Sequence, residues 1–216
     1  MTSTPTSRTP FFRSLSSTSG AKPTKDKPRL YITLYPRGGS STTSSFRNDF
    51  NCDSYHWSII VAPQTASRKD PGTRYHVAHL NHGLGKYFYE EQDIPSHPMA
   101  QTGLIRVAIA KVTDEDRLQS LLRDINVREE DSAFNCLAWV REAFVKLLDD
   151  GKSVKSYLNS DDWNAVETCA RTYCKRKRDA GRFHENTAAN ANEAHTAWRV
   201  DMISTFNFWE NRETTP

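Results

Sequence analysis

No CxxC pair occurs in this chain. Its four cysteines, Cys52, Cys136, Cys169 and Cys174, stand apart, so the spacing of a zinc knuckle or a thioredoxin-like redox pair is missing. A metal site is not expected. Cys169 and Cys174 lie five residues apart, pointing different ways on a helix, and no disulfide scaffold is expected either. No apolar run approaches the roughly 20 residues of a membrane span. No apolar stretch follows the N-terminus as in a secretory signal. These absences point to a cytoplasmic protein with reduced thiols and no membrane partner. Charge of one sign is also scarce: the formal net charge is +3, too small to argue for nucleic acid, and neither a KH nor an RRM signature is present. What remains, 216 residues with 37% hydrophobic and 25% charged, suits one soluble domain with a real core.

Residues 1–28 are rich in Ser, Thr and Pro and poor in aliphatic residues, which predicts a disordered segment. From there the chain reads as one α/β (α+β) domain over 29–185, a small antiparallel sheet packed with helices, followed by a partly disordered tail over 186–216. Strands are expected at Leu30–Tyr35, Tyr55–Val61, Thr73–Leu80 and Leu104–Val112, the second and third forming a hairpin across Asp70-Pro71-Gly72. Thr113, with Asp116 three residues on, reads as the cap of a first helix reaching about Ile125. A second helix runs from near Ser132 to Gly151, with Leu137, Val140, Phe144, Leu147 and Leu148 as its apolar face. A third spans about Ser160 to Asp179, burying Trp163, Val166, Ala170 and Tyr173. Late in the chain Trp198, Met202, Ile203, Phe206 and Trp209 form an apolar cluster that either docks on the domain or serves a partner.

Two segments carry chemistry. Tyr55-His56-Trp57-Ser58-Ile59-Ile60-Val61 reads as a buried strand that opens with a histidine. Phe134-Asn135-Cys136-Leu137-Ala138-Trp139-Val140 reads as the start of an apolar helix with a cysteine at its tip. A thiol at a helix N-terminus lies in the positive end of the macrodipole, which favours thiolate. A histidine on a neighbouring strand can take its proton, the minimum for nucleophilic cysteine catalysis. The bland reading makes Cys136 a small core residue and His56 a structural histidine. A second histidine to orient the first is either His76 or His79. The two are three residues apart, so on one strand they point to opposite faces. No third member is assured, with Asp53, Glu90 and Glu91 as candidates. Any of the three can instead meet a guanidinium bidentately. Lys175, Arg176, Lys177 and Arg178 either touch phosphates or solvate a helix end.

The order of His56-Trp57, then His79-Leu80 or His76, then Asn135-Cys136 resembles the permuted papain-like cysteine enzymes, the lecithin:retinol acyltransferase-like branch of the NlpC/P60 group, over about residues 50–150. The Leu after His79 fits that branch. The run Arg74-Tyr75-His76-Val77 fits a second, fungal pattern and favours His76. Further strings extend that likeness over about 29–185: Leu30-Tyr31-Ile32, Tyr35-Pro36-Arg37-Gly38, His56-Trp57-Ser58, Ile105-Arg106-Val107, Asn135 to Val140, Asp162-Trp163 and Gly181-Arg182-Phe183. Together they resemble the fungal arginine-containing cyclodipeptide synthases of natural-product gene clusters. The resemblance implies aminoacyl transfer with Cys136 as nucleophile, and arginyl-tRNA as substrate and partner. It implies no cofactor and no obligate protein partner. Trp57, Asn135, Glu90 and Glu91 are the substrate-binding candidates, and Lys175 to Arg178 the RNA-binding ones. A cysteine hydrolase and a non-catalytic binding module of the same fold are the alternatives.

Overall fold

The computed structural model describes residues 27–36, 55–65, 67–79, 86–184 and 201–216. The described residues form an α+β fold, eight strands in one mixed sheet packed with three helices. The strands are β1 (Arg29–Tyr35), β2 (His56–Ala62), β3 (Thr73–His79), β4 (Tyr87–Asp93), β5 (Ile105–Val112), β6 (Val154–Lys155), β7 (Ser204–Asn207) and β8 (Arg212–Thr215). The helices are α1 (Glu115–Arg123), α2 (Cys136–Asp150) and α3 (Trp163–Asp179). The sheet runs β4-β3-β2-β1-β5-β7-β8, with β6 beside β5.

Alternation along the strands builds two unlike faces. Leu30, Ile32 and Leu34 of β1, Trp57, Ile59 and Val61 of β2, and Tyr75 and Val77 of β3 join the large core under the helices. Tyr31, Tyr35, Ile60 and Ala62 point the other way, into a smaller core with Ile94, Ala100 and Ala108. The β2–β3 hairpin is as expected and antiparallel. Its return is tight at Gly72, where a Cβ would stand 2.4 Å from the Val61 carbonyl oxygen, so only glycine fits without moving the strand.

The first two helices start where a polar side chain can serve the free N–H groups. For α1 the cap is Asp114, whose carboxylate accepts from Arg117 N at 3.0 Å. Thr113, the expected cap, instead donates its hydroxyl to Lys152 O, and the later start turns Leu118 and Leu122 inward. For α2 the cap is Asn135 rather than a residue near Ser132. Its buried face is Cys136, Trp139, Val140, Ala143, Phe144 and Leu147. Leu137 and Leu148, expected on that face, are half-buried, because a stripe keyed to Trp139 and Ala143 turns them to its edges. Each large side chain fully buried there contributes roughly 2 kcal/mol. Gly151 closes α2 in the left-handed region, at φ 61°. The stripe expected for α3 is all buried, and a 3₁₀ turn over Ser160–Asp162 precedes it.

The end of the chain differs from expectation. Residues 204–215 are not tail but two strands of the sheet. β7 pairs in parallel with β5 and carries β8 antiparallel beside it, so the small antiparallel sheet becomes a larger mixed one. Phe206 enters the core 5.3 Å from the Tyr173 ring. Residues 27–28 are likewise tied in, since Val112 N donates to Pro28 O at 2.8 Å. Cys52, Asp53, Leu80, Trp198 and residues 1–26 lie outside the described residues.

Candidate active site

The histidine question is decided by register. His76 stands directly across from Glu90 on β4, and Arg74 across from Gln92. On the other side of β2, His56 stands across from Tyr35 of β1. His56, Arg74, His76, Glu90 and Gln92 therefore share one sheet face, opposite the one that receives Trp57 and Tyr75. On it the two histidines meet, His56 Nε2 lying 3.0 Å from His76 Nδ1 with the rings at 84°. His76 Nε2 is in turn 3.3 Å from Glu90 Oε2. That last contact has ion-pair distance but falls short of hydrogen-bond alignment, and Nε2 counts among the buried atoms with no aligned partner. The result is a line of three groups, Glu90–His76–His56, running from the sheet edge inward.

His79 has no place in that line. It is exposed on the other face, its ring 3.8 Å from that of Tyr87. Glu91 is excluded by the same alternation and holds Arg123 through both carboxylate oxygens, at 2.6 and 2.8 Å. Glu90 is the only one of the three acidic candidates seen beside a histidine, Asp53 being outside the described residues.

Cys136 is the first residue of α2 and is 2% exposed. The Asn135 side chain accepts from Leu137 N at 2.9 Å and Ala138 N at 3.0 Å, and the first turn carries no acidic residue, so nothing there offsets the positive end of the dipole. The helix tip comes in at the end of the sheet where β2 begins and β3 ends. Phe134, two residues before the cysteine, packs edge-on against Tyr87 at 5.7 Å, and Tyr87 pairs with His79. The thiol's charge is also among those that favour the Arg74 cation, with Tyr35 and Glu90.

Arg74 is the residue that sequence reasoning missed. It is 5% exposed, lies over the Tyr35 ring at 3.9 Å and donates to Gln92 Oε1 at 3.1 Å, while its Nε has no partner. The available signal was an arginine two residues before His76 on one strand, hence on the same face. Burial, and then Arg74, push His76 down to about 4, while Glu90 pulls the other way. The His76 contact draws Glu90 down to about 2. At neutral pH the line thus holds one carboxylate and a neutral His76.

The weaker candidates resolve differently. Trp57 is a core residue, 1% exposed and tilted against Trp163 at 6.3 Å. Asn135 is a helix cap whose oxygen is already engaged. The four basic residues at the end of α3 do not make one free face. Lys177 is buried and paired with Glu213 of β8, and Lys175 meets Asp179 at 2.5 Å. Arg176 lies over the Tyr173 ring, and Arg178 reaches the Tyr55 hydroxyl at 3.3 Å. Helical spacing, which turns residues 173, 174 and 177 to one side, splits the cluster. Among the described residues no group of three or more His, Cys, Asp or Glu is disposed to hold a metal, and no helix is long and apolar enough to cross a membrane.

No curated protein and no solved structure matches the chain. One family model does, over residues 27–215, a span that takes in every described strand and helix, β7 and β8 included. The chain belongs to that family, a family of unknown function (DUF6914).

Proposed function

We propose that this chain is an acyltransferase of papain-like type, with Cys136 as nucleophile and His56 as its base, oriented by His76 and Glu90. The observation that carries the reading is the Glu90–His76–His56 line, on a sheet whose capped helix α2 opens with Cys136, a thiol near enough to Arg74 for its charge to favour that cation. A structural histidine needs one hydrogen-bond partner. A carboxylate behind a histidine behind a second histidine is the arrangement of an oriented base.

The acyl donor we propose is aminoacyl-tRNA, one donor carrying arginine, and the product an arginine-containing cyclic dipeptide. The support here is the family resemblance and the chemistry of a thiol. His56 takes the thiol proton and the sulfur attacks the aminoacyl ester carbonyl. The C–S bond forms, the ester C–O bond breaks, and the proton passes to the departing tRNA oxygen. The amine of a second aminoacyl group attacks the thioester, forming the amide and releasing the thiol. The first residue's amine then closes the ring on the remaining ester and frees the second tRNA. Thioesters favour amines over water as nucleophiles, which suits transfer better than hydrolysis. No cofactor and no obligate protein partner enters the scheme, and its substrates place it in the cytoplasm. The pairing of Lys175, Lys177 and Arg178 within the fold leaves little of the α3 end for phosphates.

The test is a reaction of purified protein with tRNA, arginyl-tRNA synthetase, ATP and amino acids, followed by mass spectrometry. An arginine-containing cyclic dipeptide is expected, and it vanishes with ribonuclease or with Cys136→Ala. Product that survives complete tRNA digestion overturns the donor. Peptide cleavage in place of synthesis favours a cysteine hydrolase, and a Cys136 that resists iodoacetamide favours a binding module.

A further inference from the structure

Resting on that reading, we propose that Arg74 is a positioning residue of the site: its buried guanidinium, laid on Tyr35 and tethered by Gln92, keeps His76 in one neutral tautomer and so fixes Nδ1 as the basic nitrogen of His56. The argument starts from the direction of the hydrogen bonds. A neutral His76 has one N–H. Facing Glu90 with Nε2 as a lone pair would set it against a carboxylate, so the proton belongs on Nε2 and Nδ1 accepts. The bond at 3.0 Å then requires His56 to donate through its own Nε2. Its single proton is used there, and His56 Nδ1 carries the lone pair that a base needs.

A second proton on His76 reverses this. Both of its nitrogens would donate, His56 Nε2 would have to accept, and the proton of His56 would move to Nδ1. The base would be lost without any residue leaving its place. The carboxylate of Glu90 by itself invites that second proton. Burial discourages it first, and Arg74 is the charged group placed to refuse it. It shares the face of His76 by alternation on β3, it is 5% exposed, and among the described residues it has no carboxylate partner at ion-pair distance. Its Nε is unpartnered and buried. Burying a guanidinium without a carboxylate bonded to it is costly, and ring stacking, one amide bond and the more distant charges of Glu90 and Cys136 offset only part of it. The groups that act on His76 are Arg74 from its own strand, Glu90 and Gln92 from β4, and His56 from β2. Among them Arg74 is the fixed cation.

The test reads His76 directly. Ring nitrogen and carbon NMR of the full chain, labelled at histidine, gives the tautomer and the titration of His76 and His56. In the unaltered protein His76 is expected as the Nε2–H tautomer and stays neutral through mild acid. In Arg74→Met its proton affinity rises about tenfold or more, and His56 shifts tautomer at the same pH. Arg74→Lys, which keeps a charge, restores most of the original behaviour. A merely structural arginine would change the melting temperature and leave the tautomer alone. Should Arg74→Met fail to fold, the Arg74 Nε–H resonance in the unaltered protein is decisive: it moves when His76 takes its proton. An unmoved His76 in folded Arg74→Met, or an Arg74 resonance flat through the His76 titration, overturns the inference. Neither measurement needs turnover. The inference can therefore fail while Cys136-dependent transfer stands, and it can hold in a chain that makes no cyclic dipeptide.

Discussion

Acid should unfold this protein through His76 before it reaches the carboxylates, and His76→Gln should remove that weakness. In the folded chain His76 is 4% exposed and held at about 4, against 6.5 for an ordinary histidine. Above the ordinary value both the folded and the unfolded chain are neutral there, and the stability is complete. Between it and the folded value the unfolded chain binds the proton and the folded chain does not, so stability falls as the pH drops. Each tenfold difference in proton affinity is worth about 1.4 kcal/mol. Over the window from 6.5 down to 4, this single group removes about 3 kcal/mol, a large part of the 5–15 kcal/mol typical of a domain. Glu90, drawn from 4.5 to about 2 by His76, acts in the same direction but lower down, so the upper window belongs to the histidine. Urea unfolding in half-unit steps from about pH 7 to about pH 4.5 measures it. Glutamine keeps a polar side chain at the position and cannot titrate, and His56 is present in both proteins. The stability of His76→Gln relative to the unaltered chain should rise steadily as the pH falls. Two curves that stay parallel across the window would refute the reasoning.

Other consequences are more local. Cys136→Ala should abolish transfer at a stability cost of about 1 kcal/mol, checked by turnover and urea midpoint together; Ser at Cys169 should leave turnover intact. Asn135→Ala should lower stability by about 1 kcal/mol, and Asn135→Asp, which still caps, should regain it; a loss of substrate affinity with unchanged stability would make the residue a ligand instead. Lys177→Gln should cost about 2 kcal/mol, because it leaves Glu213 without its cation, and calorimetry reads the effect. Removing residues 1–26 should leave the melting temperature unchanged, whereas removing 1–28 deletes the carbonyl that serves Val112 N and should lower it by several degrees.

Much of this arrangement could be read from residue order. β1, β2, β3 and β5 announce themselves by alternation, and the three helices by apolar stripes with capping residues close to their starts. The cysteine at a helix tip and the histidine opening a strand were both legible, because each depends on local pattern alone. The choice between His76 and His79 was not, since it depends on β4. That strand, Tyr87-Phe88-Tyr89-Glu90-Glu91-Gln92-Asp93, ends in residues that strands usually avoid. They are tolerated because Glu90 meets His76 and Glu91 meets Arg123, partners far away in sequence. β7 and β8 were hidden for the same reason: four residues each, they carry too little pattern, and they exist because β7 pairs with β5 and β8 with β7.

The parallel pairing of β5 with β7 has a consequence for how the molecule is made. Arg106 and Thr205, bonded across that pair at 2.9 Å, are 99 residues apart. On a ribosome β5 emerges with β1 to receive one of its edges, while the other waits through the synthesis of all three helices. For that interval the nascent chain presents an open edge at Ile105–Ala108, the stretch that β7 later covers, the kind of edge that recruits neighbouring chains. Such distant partners also slow folding. Yield in a foreign host should accordingly depend more on translation rate and chaperone supply than on the stability of the finished sheet.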